Sequence, residues 1–277
     1  MTLYYEGSDG TIIDFMSGDL SAQNVESLAE NSWKYSSISG INGGRIKKFY
    51  KEAQEAPLNV EVFCDNKDDF DALMYKMHKT FERDLRRMTP GKLWWNGFYK
   101  EVFAVANSYE EFEELFESVQ KEITFVSIYP YWIKETKHVF FPATNEEDHT
   151  GFDYPHDYLF DYGVSDHTKA IVNDCIEAAN FQIAFYGPFT NPHVIVGGNI
   201  YRVNTTLGIG ERAVVDSRTK KITQISPIGE ATNIFHLRDR NNYIFTKIPE
   251  GTLPIAKPKE LAVEIMIYDE RGEPDWI

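Results

Sequence analysis

The stretch NPHVIVGGNIYRVNTTLGIGERAVVDSRTKKI, Asn191 to Ile222, decides the fold. Apolar residues alternate with polar ones in Val194, Val196, Ile200 and Val203, and again in Ala213 and Val215. A period of two is that of a strand with one face in a core and the other in water, so the stretch predicts short antiparallel strands. Gly197-Gly198-Asn199 supplies the hairpin between two of them. The pattern continues in RDRNNYIFTKIPEGTLPI, Arg238 to Ile255, and in LAVEIMIYDERGEPDWI, Leu261 to Ile277. In the last of these Leu261, Val263, Ile265 and Ile267 share one face, and Trp276 packs back on the fold after the Glu273-Pro274 turn. From Lys169 onward the reading is a sandwich of about eight short strands.

Outward from this stretch, the N-terminal half is also rich in strands but carries one strong helix. Residues Thr2–Tyr5 and Thr11–Phe15 flank a Gly-Ser-Asp-Gly turn and predict a hairpin. From Trp33 to Phe63 two strand-like runs surround a glycine-rich Gly40–Gly44. Between Lys67 and Arg87, Phe70, Leu73, Met74, Met77 and Phe81 recur at steps of three and four, which places them on one face of a helix. Aspartates at its start and arginines at its end suit the macrodipole, and Pro90-Gly91 stops it. A Met and Phe stripe of this kind is core and implies no cofactor. A second short helix is expected at Tyr109–Glu117, with Phe112, Leu115 and Phe116 inward. The boundary falls near Trp132–Lys137, giving domains 1–134 and 135–277. The Tyr, Pro and Asp-rich Gly151–Gly163 reads as an ordered loop.

Composition bounds the function. A chain of 277 residues buries roughly three quarters of its unfolded surface without a staple. Cys64 and Cys175 lie in separate halves and read as small apolar residues. The chain has no run of about 18 apolar residues and no basic region followed by an apolar one near its start, which predicts a soluble protein made in the cytoplasm without membrane insertion. The net charge is −15, and through Lys134 there are 15 basic and 22 acidic residues against 13 and 21 beyond it. With the acidity shared between the halves, nucleic acid is disfavoured as a partner.

Candidates for chemistry each meet a structural alternative. Asp153, Asp157 and Asp161, beside His149 and His156, recur at steps of four, but the proline and aromatics between them argue against the helix that would align the carboxylates. Gly208-Ile209-Gly210 lacks the third glycine of a dinucleotide fingerprint and reads as a turn, and no metalloprotease or serine-hydrolase motif occurs. The expectation is therefore no enzyme, no cofactor, no metal and no catalytic residue. Arg45, Lys47, Lys48 and Lys51, interleaved with Ile46, Phe49 and Tyr50, form either a solvated hairpin or an interface. Trp94-Trp95 alternates faces on a strand, so one ring is buried and the other is exposed or at an interface. Tyr154, Tyr158, Phe160 and Tyr162 pack between domains or offer a sugar-stacking platform.

The ordered series of Asn191-Pro192, Gly197-Gly198-Asn199, Asp216-Ser217-Arg218, Tyr243-Ile244-Phe245, Pro249-Glu250-Gly251 and the terminal Glu270 to Trp276 resembles the C-terminal half of the distal tail (Dit) proteins of siphoviruses, long-tailed phages or prophages of Gram-positive bacteria. The N-terminal half resembles the same family through the Lys67–Arg87 helix, TPGKLWWNGFYKEVF at Thr89–Phe103, EITFVSIYPYWIKE at Glu122–Glu135, and GFDYPHDYLFDYG. The resemblance covers essentially the whole chain. It implies a mainly β fold, with an N-terminal β-sandwich-like ring-forming domain and a C-terminal galectin-like β-sandwich. It further implies a structural virion protein at the tail tip, synthesised in the host cytoplasm. Six copies form a homo-hexameric ring that joins the tail tube protein to the central tail-tip protein, a tail-associated lysin or fibre, and receptor-binding proteins dock at its periphery. Interface residues under this reading are Arg45, Lys47, Lys48, Phe49, Tyr50, Trp94 and Trp95. The alternative is a carbohydrate-binding module for host cell-wall glycans.

Overall fold

A computed structural model describes residues 1–40, 43–64, 66–111, 119–142 and 170–276, with the side chains of 109–111 excepted. The chain is mainly β, as its periodicity predicts, and divides into two compact units. One comprises Met1–Lys134 with Glu270–Ile277, the other Glu135–Asp269.

The first unit holds β1 (Leu3–Glu6), β2 (Ile12–Asp14), β3 (Leu20–Gln23), β4 (Lys34–Gly40), β5 (Gly43–Tyr50), β6 (Gln54–Val62), α1 (Lys67–Arg87), β7 (Gly91–Trp95), β8 (Phe98–Glu111), β9 (Val119–Ser127) and the start of β10 (Trp132–Phe140). One layer runs β2-β1-β7-β8 and the other β3-β6-β9-β8. β8 belongs to both because it changes partner along its length, pairing with β7 up to Val102 and with β9 from Phe103. A bulge at Val105 bends it at that point, which is how a strand turns the corner between two packed layers. Strand alternation buries Ala56, Leu58, Val60 and Val62 from β6, Ile123 and Phe125 from β9, and Leu93 and Trp95 from β7. Phe70, Met77 and Phe81 of α1 join the same core, while Leu73 and Met74 pack half-buried beside them.

α1 begins where Asn66, the N-cap, accepts a hydrogen bond from the Asp69 backbone N–H at 2.9 Å. It ends as Met88 turns left-handed, two residues before the proline that could not have continued it. The expected helix at Tyr109–Glu117 is corrected at its start. β8 continues as strand to Glu111, because Ser108, Tyr109 and Glu111 find ladder partners on β9, and residues 112–118 lie outside the described set. Local helical spacing loses here to long-range pairing.

The second unit continues through β10 with β11 (Ala170–Asn173), β12 (Asn180–Tyr186), β13 (Phe189–Thr190), β14 (His193–Val196), β15 (Asn199–Arg202), β16 (Thr206–Leu207), β17 (Arg212–Asp216), β18 (Lys221–Ile225), β19 (Ala231–Asn233), β20 (Gly251–Ala256) and β21 (Ala262–Arg271). The strands exceed the expected eight because β13, β16 and β19 are only two or three residues long. A sheet in the order β19-β18-β17-β12-β21 and another in the order β11-β20-β14-β15 share one core. Phe181, Ile183 and Phe185, Val263, Ile265 and Ile267, and Ala213 and Val215 point into it from the first, and Ile171, Val194, Val196 and Tyr201 from the second. Gly197 and Gly198, both with positive φ, form the two-residue loop of the β14–β15 hairpin. One inward residue differs from expectation. Tyr201, opposite Val194, is buried, whereas Ile200 is only half-buried opposite Ile195.

The second domain read from the sequence extended to Ile277, but residues 270–277 belong to the first unit. The Trp276 ring sits edge-on to Trp95 with centroids 5.2 Å apart, and Asn96 Nδ2 donates to the Asp275 carbonyl at 3.0 Å. Trp276 remains 48% exposed, so this is a rim contact and not core burial.

Candidate assembly interface

The basic run at Arg45 to Lys51 lies on a hairpin with little beneath it. Among the described residues β4 and β5 pair only with each other, and every residue of β4 and β5 except Ser36 and Tyr50 is exposed. The register slips by one residue after Ser36, leaving Lys47 as the extra residue of a bulge that adds twist. Tyr35 and Phe49, opposite each other in the ladder, meet edge to face at 6.4 Å, yet they are 61% and 58% exposed. Ile38 and Ile46 are also about half exposed. A two-stranded ribbon alone in water is marginal, and bare aromatic and branched side chains on one are surface that a partner would cover. Between Glu30 and Glu52 there is no acidic residue, while Lys34, Arg45, Lys47, Lys48 and Lys51 are basic, so this segment carries +5 in a chain of −15.

The root of the hairpin is better ordered. Lys51 Nζ lies 4.5 Å from the Tyr131 ring centroid and 5.1 Å from that of Trp33, and donates to the Pro130 carbonyl at 3.3 Å. Tyr129 packs against Tyr131 at 5.0 Å. Burial lowers the Lys51 pKa, and Glu273 opposes that shift. Lys34 pairs with Glu52 across the same end of the ribbon. Below, Lys100 is almost completely buried, with Nζ donating to the Leu28 carbonyl at 3.1 Å and to Gln54 Oε1 at 3.3 Å, and standing 4.7 Å from the Trp132 centroid. Burial, with repulsion from Lys51 added, pulls its pKa down to about 7.

Of the residues singled out from sequence, Arg45, Lys47, Lys48, Phe49 and Tyr50 come together on β5. Trp94 stands elsewhere, on β7. Its ring stacks on Tyr4 at 5.8 Å, and its Nε1 donates to Glu6 at 2.8 Å, so it is half-buried and largely satisfied within the unit. Trp95 is corrected: it has no exposed surface and packs in the core against Trp132. The Trp94-Trp95 alternation thus gave one buried ring and one partly exposed, with the interface candidate on the wrong side of the strand for Trp95. The aromatic box of Trp33, Tyr129 and Tyr131 was not read from the sequence, since Trp33 lies far in the chain from the two tyrosines. Asp153, Asp157, Asp161, His149 and His156, the aromatics Tyr154, Tyr158, Phe160 and Tyr162, and the Gly151–Gly163 loop lie outside the described residues. Among the described residues no group of three or more His, Cys, Asp or Glu could hold a metal ion, and no helix is long and apolar enough to cross a membrane. Gly208-Ile209-Gly210 is a turn, closed by Glu211, whose carboxylate accepts from the Gly208 N–H at 2.7 Å.

The fold of the chain is shared with proteins of phage hub and baseplate assemblies. No protein-family model matches the chain, and no curated protein does. Among solved structures, the chain is similar to the Dit (gp 19.1) protein of phage SPP1, described as a paradigm of the hub adsorption apparatus in phages infecting Gram-positive bacteria. The identity is 12%, the TM-score 0.56, and the match covers 97% of this chain and 98% of that one. Two chains from the phage P2 baseplate in its activated conformation are also similar. The one determined with calcium is 14% identical with a TM-score of 0.61 over 100% of both chains. The one determined with strontium is 15% identical with a TM-score of 0.63 over 99% of both. The chain therefore has a Dit-like fold.

Proposed function

We propose that the chain is a distal tail protein of a siphovirus or prophage, a structural component of the virion tail tip without enzymatic activity. The observation that carries this reading is the alignment over nearly the whole length of both chains, which leaves neither unit unaccounted for. In this reading Met1–Lys134 forms a ring of six copies, and the second unit is a galectin-like sandwich directed outward. One face of the ring meets the tail tube protein and the other the central tail-tip protein, with receptor-binding proteins at the periphery. The exposed β4–β5 hairpin is the arm by which each copy grips the next. The +5 of the segment between Glu30 and Glu52 leaves −20 on the remainder of the chain, so the rest of another copy carries charge of the opposite sign. Cyclic symmetry closes such a head-to-tail contact into a ring. Size-exclusion chromatography with light scattering tests the reading. Six copies of a 32.0 kDa chain give about 190 kDa, and a purified protein that stays at the monomer mass at every concentration and in the presence of its tube protein sinks it.

A further inference from the structure

The hairpin has no core of its own, so its direction is set at its root, where two legs leave the body of the first unit. Asn31 stands just before β4, and Lys51 follows β5 directly. The first of these legs is packed against by a short segment, residues 270–276, whose Glu273 also acts on the charge of the second. Gly272 lies so close to Asn31 that a Cβ on it would fall 2.2 Å from Asn31 Nδ2. Glu273, the next residue, acts electrostatically on the Lys51 ammonium inside its aromatic box. The segment is itself anchored on the body. Pro274 is buried, the Asp275 carbonyl accepts from Asn96, Trp276 sits on Trp95, and Arg271 lies over the Phe98 ring at 5.2 Å while pairing with Asp275 at 3.1 Å.

We propose that residues 270–276 are a strap that fixes the direction in which the β4–β5 hairpin projects from the first unit. Lys51 holds one leg in its aromatic box, and a ribbon tied there alone can pivot about that tie, whereas one whose other leg also packs against a segment with its own anchor cannot. The purpose of the strap rests on the reading of the hairpin as a docking arm, but its geometry does not. An arm held in one direction before contact loses less orientational freedom on docking, so the strap preorganises the contact and adds no residue to it.

Spin labels at Ser37 on β4 and Ala72 on the exposed face of α1, in a chain with Cys64→Ser and Cys175→Ser, report the hairpin's direction as a distance distribution. Truncation after Arg271 is expected to about double the width of that distribution. The double variant Glu273→Lys with Trp276→Ala, which alters two exposed side chains and leaves the core intact, is expected to broaden it in the same sense. An unchanged width in the truncated chain, with its circular dichroism intact, overturns the strap. If the truncated chain fails to fold, the double variant decides, and an unchanged width there overturns it equally. Failure of the arm reading looks different: a chain lacking residues 36–48 would still form rings of full subunit number, whatever the strap variants do to the label distances.

Discussion

Asp84 illustrates what a single polar group does when a helix buries it. It is 1% exposed on the inner face of α1, where its carboxylate accepts from Tyr5 Oη at 2.7 Å and from the Ser8 N–H and hydroxyl, with Arg83 Nε 3.8 Å away. Gly91 permits the arrangement, since a Cβ there would lie 2.2 Å from Tyr5 Oη. Asp84→Ala leaves those donors unpaired in the core and is expected to cost about 3–5 kcal/mol in urea denaturation. Tyr5→Phe removes one bond only and is expected to cost about 1 kcal/mol. Lys100 makes a prediction of the opposite sign. Its folded pKa of about 7 lies below the ordinary 10.5, so between those values the unfolded chain holds a proton that the folded chain has released, and stability rises with pH across that window. Below about pH 7 both states are protonated and the burial cost is felt in full. Lys100→Met should therefore gain on the parent protein at pH 6 relative to pH 10, by on the order of 3 kcal/mol in paired denaturation curves; a constant difference across that range refutes the assignment. Neither residue was evident from the sequence. Asp84 falls three residues after Phe81 and continues the apolar stripe of α1, but an aspartate there reads as solvated until its donors from β1 and the following turn are in place.

Elements varied in how plainly they were written. α1 was legible to its ends because its stripe, the charges at its two ends and its stop are all local to the segment. The β1–β2 and β14–β15 hairpins were legible for the same reason, each being closed by its own turn glycines. β8 was not, because its length and its bend depend on β7 and β9, and a charged run with helical spacing placed the start of a helix where the strand continues to Glu111. The β4–β5 hairpin was readable as strands, but its isolation from either layer was not, since alternation reports two faces and says nothing of whether either is covered. Its exposed aromatics give the element-scale prediction. Replacing residues 36–48 with a short glycine-containing turn removes no side chain that is buried among the described residues, so the melting temperature should shift by no more than a few degrees. The light-scattering mass should fall to that of a monomer. Rings that persist at full mass would remove the hairpin from the interface.

At the scale of the whole molecule the fold class followed from composition and period, while the layering of the sheets, set by long-range pairing, did not. The charge distribution was legible as far as the basic cluster at Arg45 to Lys51, while the exposure of the hairpin segment that carries most of it was not. If that segment grips acidic surface on the next copy, assembly depends on ionic strength. The ring should be favoured at about 50 mM salt and should dissociate near 1 M, where screening shortens to about 3 Å; a mass independent of salt would mean that the apolar side chains of the hairpin hold the contact without its charges. The division of the chain adds a constraint in time. Residues 135–269 form the second unit, yet the first is finished only by residues 270–276, which pack on Trp95, Asn96 and Phe98. On the ribosome the second unit emerges before the first can be completed. A chain not yet synthesised through residue 276 thus lacks the strap at the root of its arm, and the order of synthesis itself delays a properly directed arm until residues 270–276 have been made.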